Sequence, residues 1–163
     1  MDRDAALRDY LSRLLSWGEA HMTFDSAVAE FPPDQMNARP PNVPYTPWQL
    51  LEHMRITQWD ILGFIRDRRH MSPEWPEGYW PAKEEQAGEA RWRETIQAFR
   101  EDLAALQALA SDPTTDLYAP IPHGDGQTTL REILLAADHN SFHLGEFAIL
   151  RQVMGSWPKD REE

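Results

Sequence analysis

The 163-residue chain contains no cysteine. Disulfide staples, thiolate metal ligands and a cysteine nucleophile are therefore excluded, and His, Asp and Glu remain as the strong metal ligands. No run of about 18 apolar residues occurs, and the opening stretch Met1-Asp-Arg-Asp-Ala-Ala-Leu-Arg8 is charged and amphipathic with no apolar h-region. Neither export nor membrane insertion is expected, and a cytoplasmic protein is the default. A basic stripe is also missing: the net charge is −11 and the arginines are dispersed. Such a surface repels nucleic-acid phosphates and anionic lipid, so no nucleic-acid or membrane partner is expected. Strand-like alternation is absent as well, which leaves an all-α fold.

What is present suits a folded globule: 41% of residues are hydrophobic, seven of them Trp, in a length that reads as one domain over 1–163. Four helices are expected. The first runs from about Asp4 to Glu30, with Leu7, Leu11, Leu14, Gly18, His21 and Val28 at three-to-four spacing, and stops before Pro32-Pro33. Five prolines between Pro32 and Tyr45 make an extended connector. The second helix starts at Thr46-Pro47-Trp48-Gln49, a capping box with proline at the first helical position, and continues to about Arg68. Met71 to Pro81 is rich in proline and aromatics and reads as a loop packed by its rings. The third helix spans about Lys83 to Leu109 and carries an apolar stripe through Trp92, Ile96, Phe99, Leu103 and Leu106. The fourth is expected from a second capping box, Thr129-Leu-Arg-Glu132, to Met154-Gly155, where glycine can take the left-handed conformation.

The chemistry gathers at three histidines. His139 and His143 lie one turn apart and project from one face of the last helix together with Leu135, Ala136, Phe147, Leu150 and Met154. The opposite face, with Leu130, Ile133, Leu134, Ala137 and Leu144, is also apolar, so this helix is either central or buries one face against a partner subunit. His53 shares an apolar face of the second helix with Leu50, Thr57, Ile61 and Phe64. A buried imidazole without a partner costs on the order of 1 to 3 kcal/mol, so each needs a hydrogen bond or a metal. The residues alone leave both readings open: satisfied core histidines, or a three-nitrogen metal site. Two metal motifs are excluded. A zincin needs His-Glu-x-x-His, but position 140 is Asn, and a di-iron bundle needs Glu three residues before histidine, where Leu50, Ala136 and Asn140 stand.

Thr46-Pro-Trp-Gln-Leu-Leu-Glu-His53, followed much later by Thr129-Leu-Arg-Glu-Ile-Leu-Leu-Ala-Ala-Asp-His139-Asn-Ser-Phe-His143-Leu-Gly-Glu146, resembles the DinB-like superfamily of four-helix bundles over nearly the whole chain. The resemblance implies that His53, His139 and His143 bind a divalent metal, with Zn, Ni, Fe or Mn all compatible with imidazole. Close relatives usually carry glutamine where this chain has Glu146, which is open to three readings: a carboxylate ligand, a proton acceptor or a solvated charge. The resemblance further implies a metal-dependent thiol transferase or hydrolase acting on a small molecule, with a low-molecular-weight thiol as partner and Glu146 as catalytic base. It also favours a homodimer. The competing expectation is a noncatalytic, stress-associated or structural dimer whose metal, if any, stabilises the fold.

Three histidines stand apart from this set. His21 is expected on the core stripe of the first helix, His70 on the surface at the end of the second, and His123 on a turn-rich loop. Trp75, Tyr79 and Trp80 are read first as packing for their loop, and second as a pocket wall.

Overall fold

Local capping decides where the helices begin. The Thr46 hydroxyl accepts from the Gln49 amide at 3.1 Å, and the Gln49 side chain returns a bond from the Thr46 amide at 3.0 Å, so the expected capping box forms. At the last helix the cap is Thr128 rather than Thr129: its hydroxyl accepts from the Arg131 amide, which leaves Glu132 free to turn inward and pair with Arg131 at 2.6 Å. Gly155 closes that helix in the left-handed region, φ 60°.

The computed structural model describes residues 2–158, so residue 1 and residues 159–163 of the expected 1–163 domain lie outside the description. The helices are α1 (Arg3–Leu14), α2 (Phe24–Val28), α3 (Pro47–Arg66), α4 (Glu89–Ser111) and α5 (Thr129–Met154). Among the described residues there is no strand, only an isolated antiparallel bridge between Pro120 and Thr128. Over the described residues the fold is all-α, as expected, but with five α-helices instead of four. The expected first helix is two, because Thr23 caps a new start by accepting from the Ser26 amide at 3.2 Å. Periodicity did not reveal the break, since Leu11 of α1 and Phe24, Ala27 and Val28 of α2 all bury their side chains. α4 starts six residues later than expected, after Gly88.

α3 packs against both α4 and α5, α4 also packs against α1, and α2 lies on α5. Two apolar clusters hold this arrangement. One surrounds Trp48, Phe99 and Phe147 with Phe24, Phe31 and Trp92; the other joins Leu11, Ile61, Leu106, Leu117 and Ile133. Each such fully buried side chain contributes about 1.5 to 3 kcal/mol. Two buried polar networks tie the helices together. Glu52, 3% exposed, accepts from Arg55, Arg91 and Thr95 and ties α3 to α4. Gln58 donates to the Phe99 carbonyl at 2.7 Å and accepts from Asn140 at 2.8 Å, joining α3, α4 and α5.

α5 differs from the sequence expectation in its faces. Leu134, Leu135, Phe142, Ile149 and Val153 are exposed, while Ile133, Ala136, Ala137, Asn140, His143, Leu144, Phe147 and Leu150 are buried. The helix is therefore not central: one long side is bare and apolar.

Candidate metal centre

His53 stands in the second turn of α3, and His139 and His143 stand in the middle of α5, where the two helices pack. The three rings meet at their Nε2 atoms. His53 Nε2 lies 3.1 Å from His139 Nε2 and 3.1 Å from His143 Nε2, and all three atoms fall within 4.8 Å of one another. His53 and His143 are buried and His139 is half-buried.

The outer partners decide which nitrogen carries the proton. His53 Nδ1 is 2.8 Å from the Tyr79 carbonyl, which can only accept, so Nδ1 donates and Nε2 of the neutral ring keeps its lone pair. His143 Nδ1 is 2.6 Å from Glu146 Oε2, with the same consequence. Burial strengthens this preference for the neutral form. It holds the His139 imidazole down to about 3 and His143 down to about 4, with neighbouring imidazoles adding to the effect. His53 is lowered by burial too, although the Tyr79 carbonyl and the charge of Glu146 pull the other way. Two lone pairs thus face each other across 3.1 Å at neutral pH, a repulsive arrangement that a shared cation relieves.

The donor set fits a metal. Ligand nitrogens about 2.1 Å from one ion would sit roughly 3.0 to 3.4 Å apart in octahedral or tetrahedral coordination, and the observed separations of 3.1 Å lie in that window. A carbonyl behind one ligand and a carboxylate behind another are the usual outer supports of metal-bound histidine. The three histidines form a group that could hold a metal ion.

The loop between α3 and α4 completes the surroundings. Trp80 lies flat on His53, ring centroids 3.9 Å apart and planes 1° from parallel, and its other neighbour is Tyr45 at 5.6 Å. Tyr79 supplies the carbonyl to His53 through its backbone and a hydroxyl to Asp60 at 2.6 Å through its side chain. Trp75, Tyr79, Trp80, Thr57, Asp60 and Leu135 line a pocket of about 450 Å³ together with the three histidines. These aromatics form a wall as well as packing their loop. Glu146 stands behind His143 and does not line this pocket. It also meets Tyr45, whose phenol is pushed up to about 12 by burial first and then by its bond to Glu146 and the negative charge there.

The remaining histidines stay outside the cluster. His21 is exposed between α1 and α2, bonded to the Met22 carbonyl and to Ser141, so it is not on a helix stripe. His123 binds the Phe64 carbonyl at 2.7 Å. His70 corrects the surface reading: its side chain is 10% exposed and bonded to Asp60 at 2.7 Å, folded back over Gly63, where any side chain would collide with its ring. The roles of Tyr79, Trp80 and Asp60 were not legible in advance, because a backbone carbonyl and a stacking face leave no mark on residue spacing.

The fold and the donor set define a class: an all-helical protein with a three-histidine centre between two packed helices, opening into an aromatic pocket. The profile of the DinB superfamily matches residues 17–147, and the chain belongs to that family. No curated protein and no solved structure matches it.

Proposed function

We propose that the protein is a metal-dependent thiol transferase or hydrolase whose divalent metal is held by His53, His139 and His143. The observation that carries this reading is the convergence of Nε2 atoms whose rings are already turned by Tyr79 and Glu146 into the ligating tautomer. A bound divalent ion supplies Lewis acidity, which activates water or a thiol as nucleophile at neutral pH. The chain does the rest. Trp80 holds the His53 ring by stacking, Glu146 holds the proton on His143 Nδ1, and Trp75, Tyr79 and Leu135 give the substrate an apolar pocket wall. Asp60, held by Tyr79 and His70, is the carboxylate that lines the pocket. Glu146 acts by orienting His143, which is a different role from the base expected of it. The pocket beside the Nε2 atoms supports catalysis over a purely structural metal, which would be closed off by protein ligands. The bare apolar side of α5 supports a homodimer, with the four longer helices as its bundle.

Elemental mass spectrometry of tag-free protein tests the reading. About one equivalent of divalent metal in the parent and none after His139→Ala with His143→Ala is expected, together with thiol-transfer or ester-hydrolysis activity in the parent alone. Absence of metal after reconstitution with Zn, Ni, Mn and Fe would overturn it.

A further inference from the structure

A second concavity shares Trp80 with the histidine pocket. It has a volume of about 630 Å³, and its walls are the rings of Tyr45 and Trp80 with Pro44, Pro76 and Pro81. Its polar groups are Arg39, Lys83, Gln49 and one carboxylate, Glu77. We propose that this groove is an anchor for a carboxylate on an apolar or aromatic body, carried by the molecule that the metal centre acts on.

Arg39 is the reason. Its guanidinium donates to the Pro44 carbonyl at 2.9 Å and to Gln49 Oε1 at 3.2 Å. Gln49 is itself immobilised, since Oε1 also accepts from the Thr46 amide and Nε2 donates to the Lys83 carbonyl at 3.0 Å. The α3 capping box therefore holds the guanidinium in place through neutral acceptors, which leave its charge uncompensated. Among the described residues neither Arg39 nor Lys83 has a carboxylate within ion-pair distance, whereas eight other arginines do. Two unpaired cations against Glu77 leave the groove net positive in a chain whose total charge is −11. A guanidinium has five N–H donors, and the two bonds described leave room for a bidentate carboxylate. The aromatic and proline walls suit an apolar body, and a cationic ligand would meet Arg39 and Lys83 head on.

The same indole walls both concavities, through its stack on His53 at 3.9 Å and its contact with Tyr45 at 5.6 Å. An anion anchored against it is one indole away from His53. The link to a substrate rests on the metal-centre reading; the groove itself does not.

Isothermal titration with phenylacetate, its neutral isostere phenylacetamide, and acetate tests the groove in the parent and in the His139→Ala, His143→Ala variant. Saturable phenylacetate binding in both proteins at low salt is expected, about tenfold tighter than phenylacetamide and tighter than acetate. Arg39→Gln should erase that margin and Lys83→Gln should reduce it. Both residues are exposed, so the variants fold, which circular dichroism checks. Phenylacetate bound only by metal-loaded parent would mean that the carboxylate ligates the metal, and would overturn the groove. Equal binding of phenylacetamide, indifference to Arg39→Gln, or no binding would overturn it as well. If the histidine variant keeps as much metal as the parent, the metal reading fails while the groove result stands.

Discussion

Two buried polar clusters join α3 to α5 only a turn or so apart, and they are built on opposite principles. In the first, Gln58 and Asn140 close a chain of bonds onto the Phe99 carbonyl: the carbonyl forces Gln58 to donate, so Gln58 Oε1 must accept and Asn140 must donate. Every assignment along this chain runs one way, from Asn140 through Gln58 to the Phe99 carbonyl. In the second, His53 and His143 each spend their proton outward, on Tyr79 and Glu146, and turn lone pairs toward each other. Neighbouring residues of α5, His139 and Asn140, thus serve different ends. Pairing inward makes a structural clasp, and pairing outward leaves a group that could hold a metal ion. A buried polar residue acquires meaning from where its partners lie.

The comparison can be broken most decisively at the histidines. Alanine at His53, His139 or His143 should lower metal affinity by more than about a hundredfold, read by elemental analysis and competition with a chelator. In the metal-free protein His53→Ala should cost more stability than His139→Ala, since it also takes the donor from the Tyr79 carbonyl and the ring stacked on Trp80. The clasp should respond in the opposite way. Gln58→Leu leaves the Asn140 amide unpaired and takes the second donor from the Phe99 carbonyl, and should cost about 1 to 3 kcal/mol in denaturant unfolding, with metal stoichiometry retained.

Acid sharpens the contrast next. In the metal-free protein the folded His139 and His143 take up protons only near 3 and 4, whereas the unfolded chain takes them up near 6.5. Between those values the unfolded state binds more protons, so stability should fall as pH drops from about 6.5 toward 4, by an amount on the order of a few kcal/mol. Asn140 and Gln58 do not titrate. The histidine variants should therefore flatten the pH profile over this range, and Gln58→Leu should shift it down without changing its shape. The smallest effect belongs to Glu146. Glu146→Ala should weaken metal binding about ten- to a hundredfold, while Glu146→Gln, whose amide oxygen still accepts from His143 Nδ1, should recover most of the loss. Equal losses in the two variants would contradict an orienting role.

Much of this was legible in the chain itself, for definite reasons. The capping box at Thr46 and Gln49 uses atoms four residues apart at most, so it forms wherever the sequence places it. The i,i+4 pair His139 and His143 shares a helix face by the geometry of the helix alone, and Gly155 ends α5 because only local φ is at stake. The absence of cysteine limited the strong metal ligands to nitrogen and oxygen before any fold was known. Tertiary structure decided the remainder. The break between α1 and α2 was hidden, because apolar residues on both sides of it are buried, although in different clusters. Periodicity could show that α5 is apolar nearly all round, but only packing could decide that Phe142, Ile149 and Val153 stay bare. The Tyr79 carbonyl, the flat face of Trp80 and the pinned guanidinium of Arg39 stand on connecting segments outside the α-helices, and the paths of such segments are set by long-range packing. The sequence determined which imidazoles share a helix face; the fold decided which way their protons point.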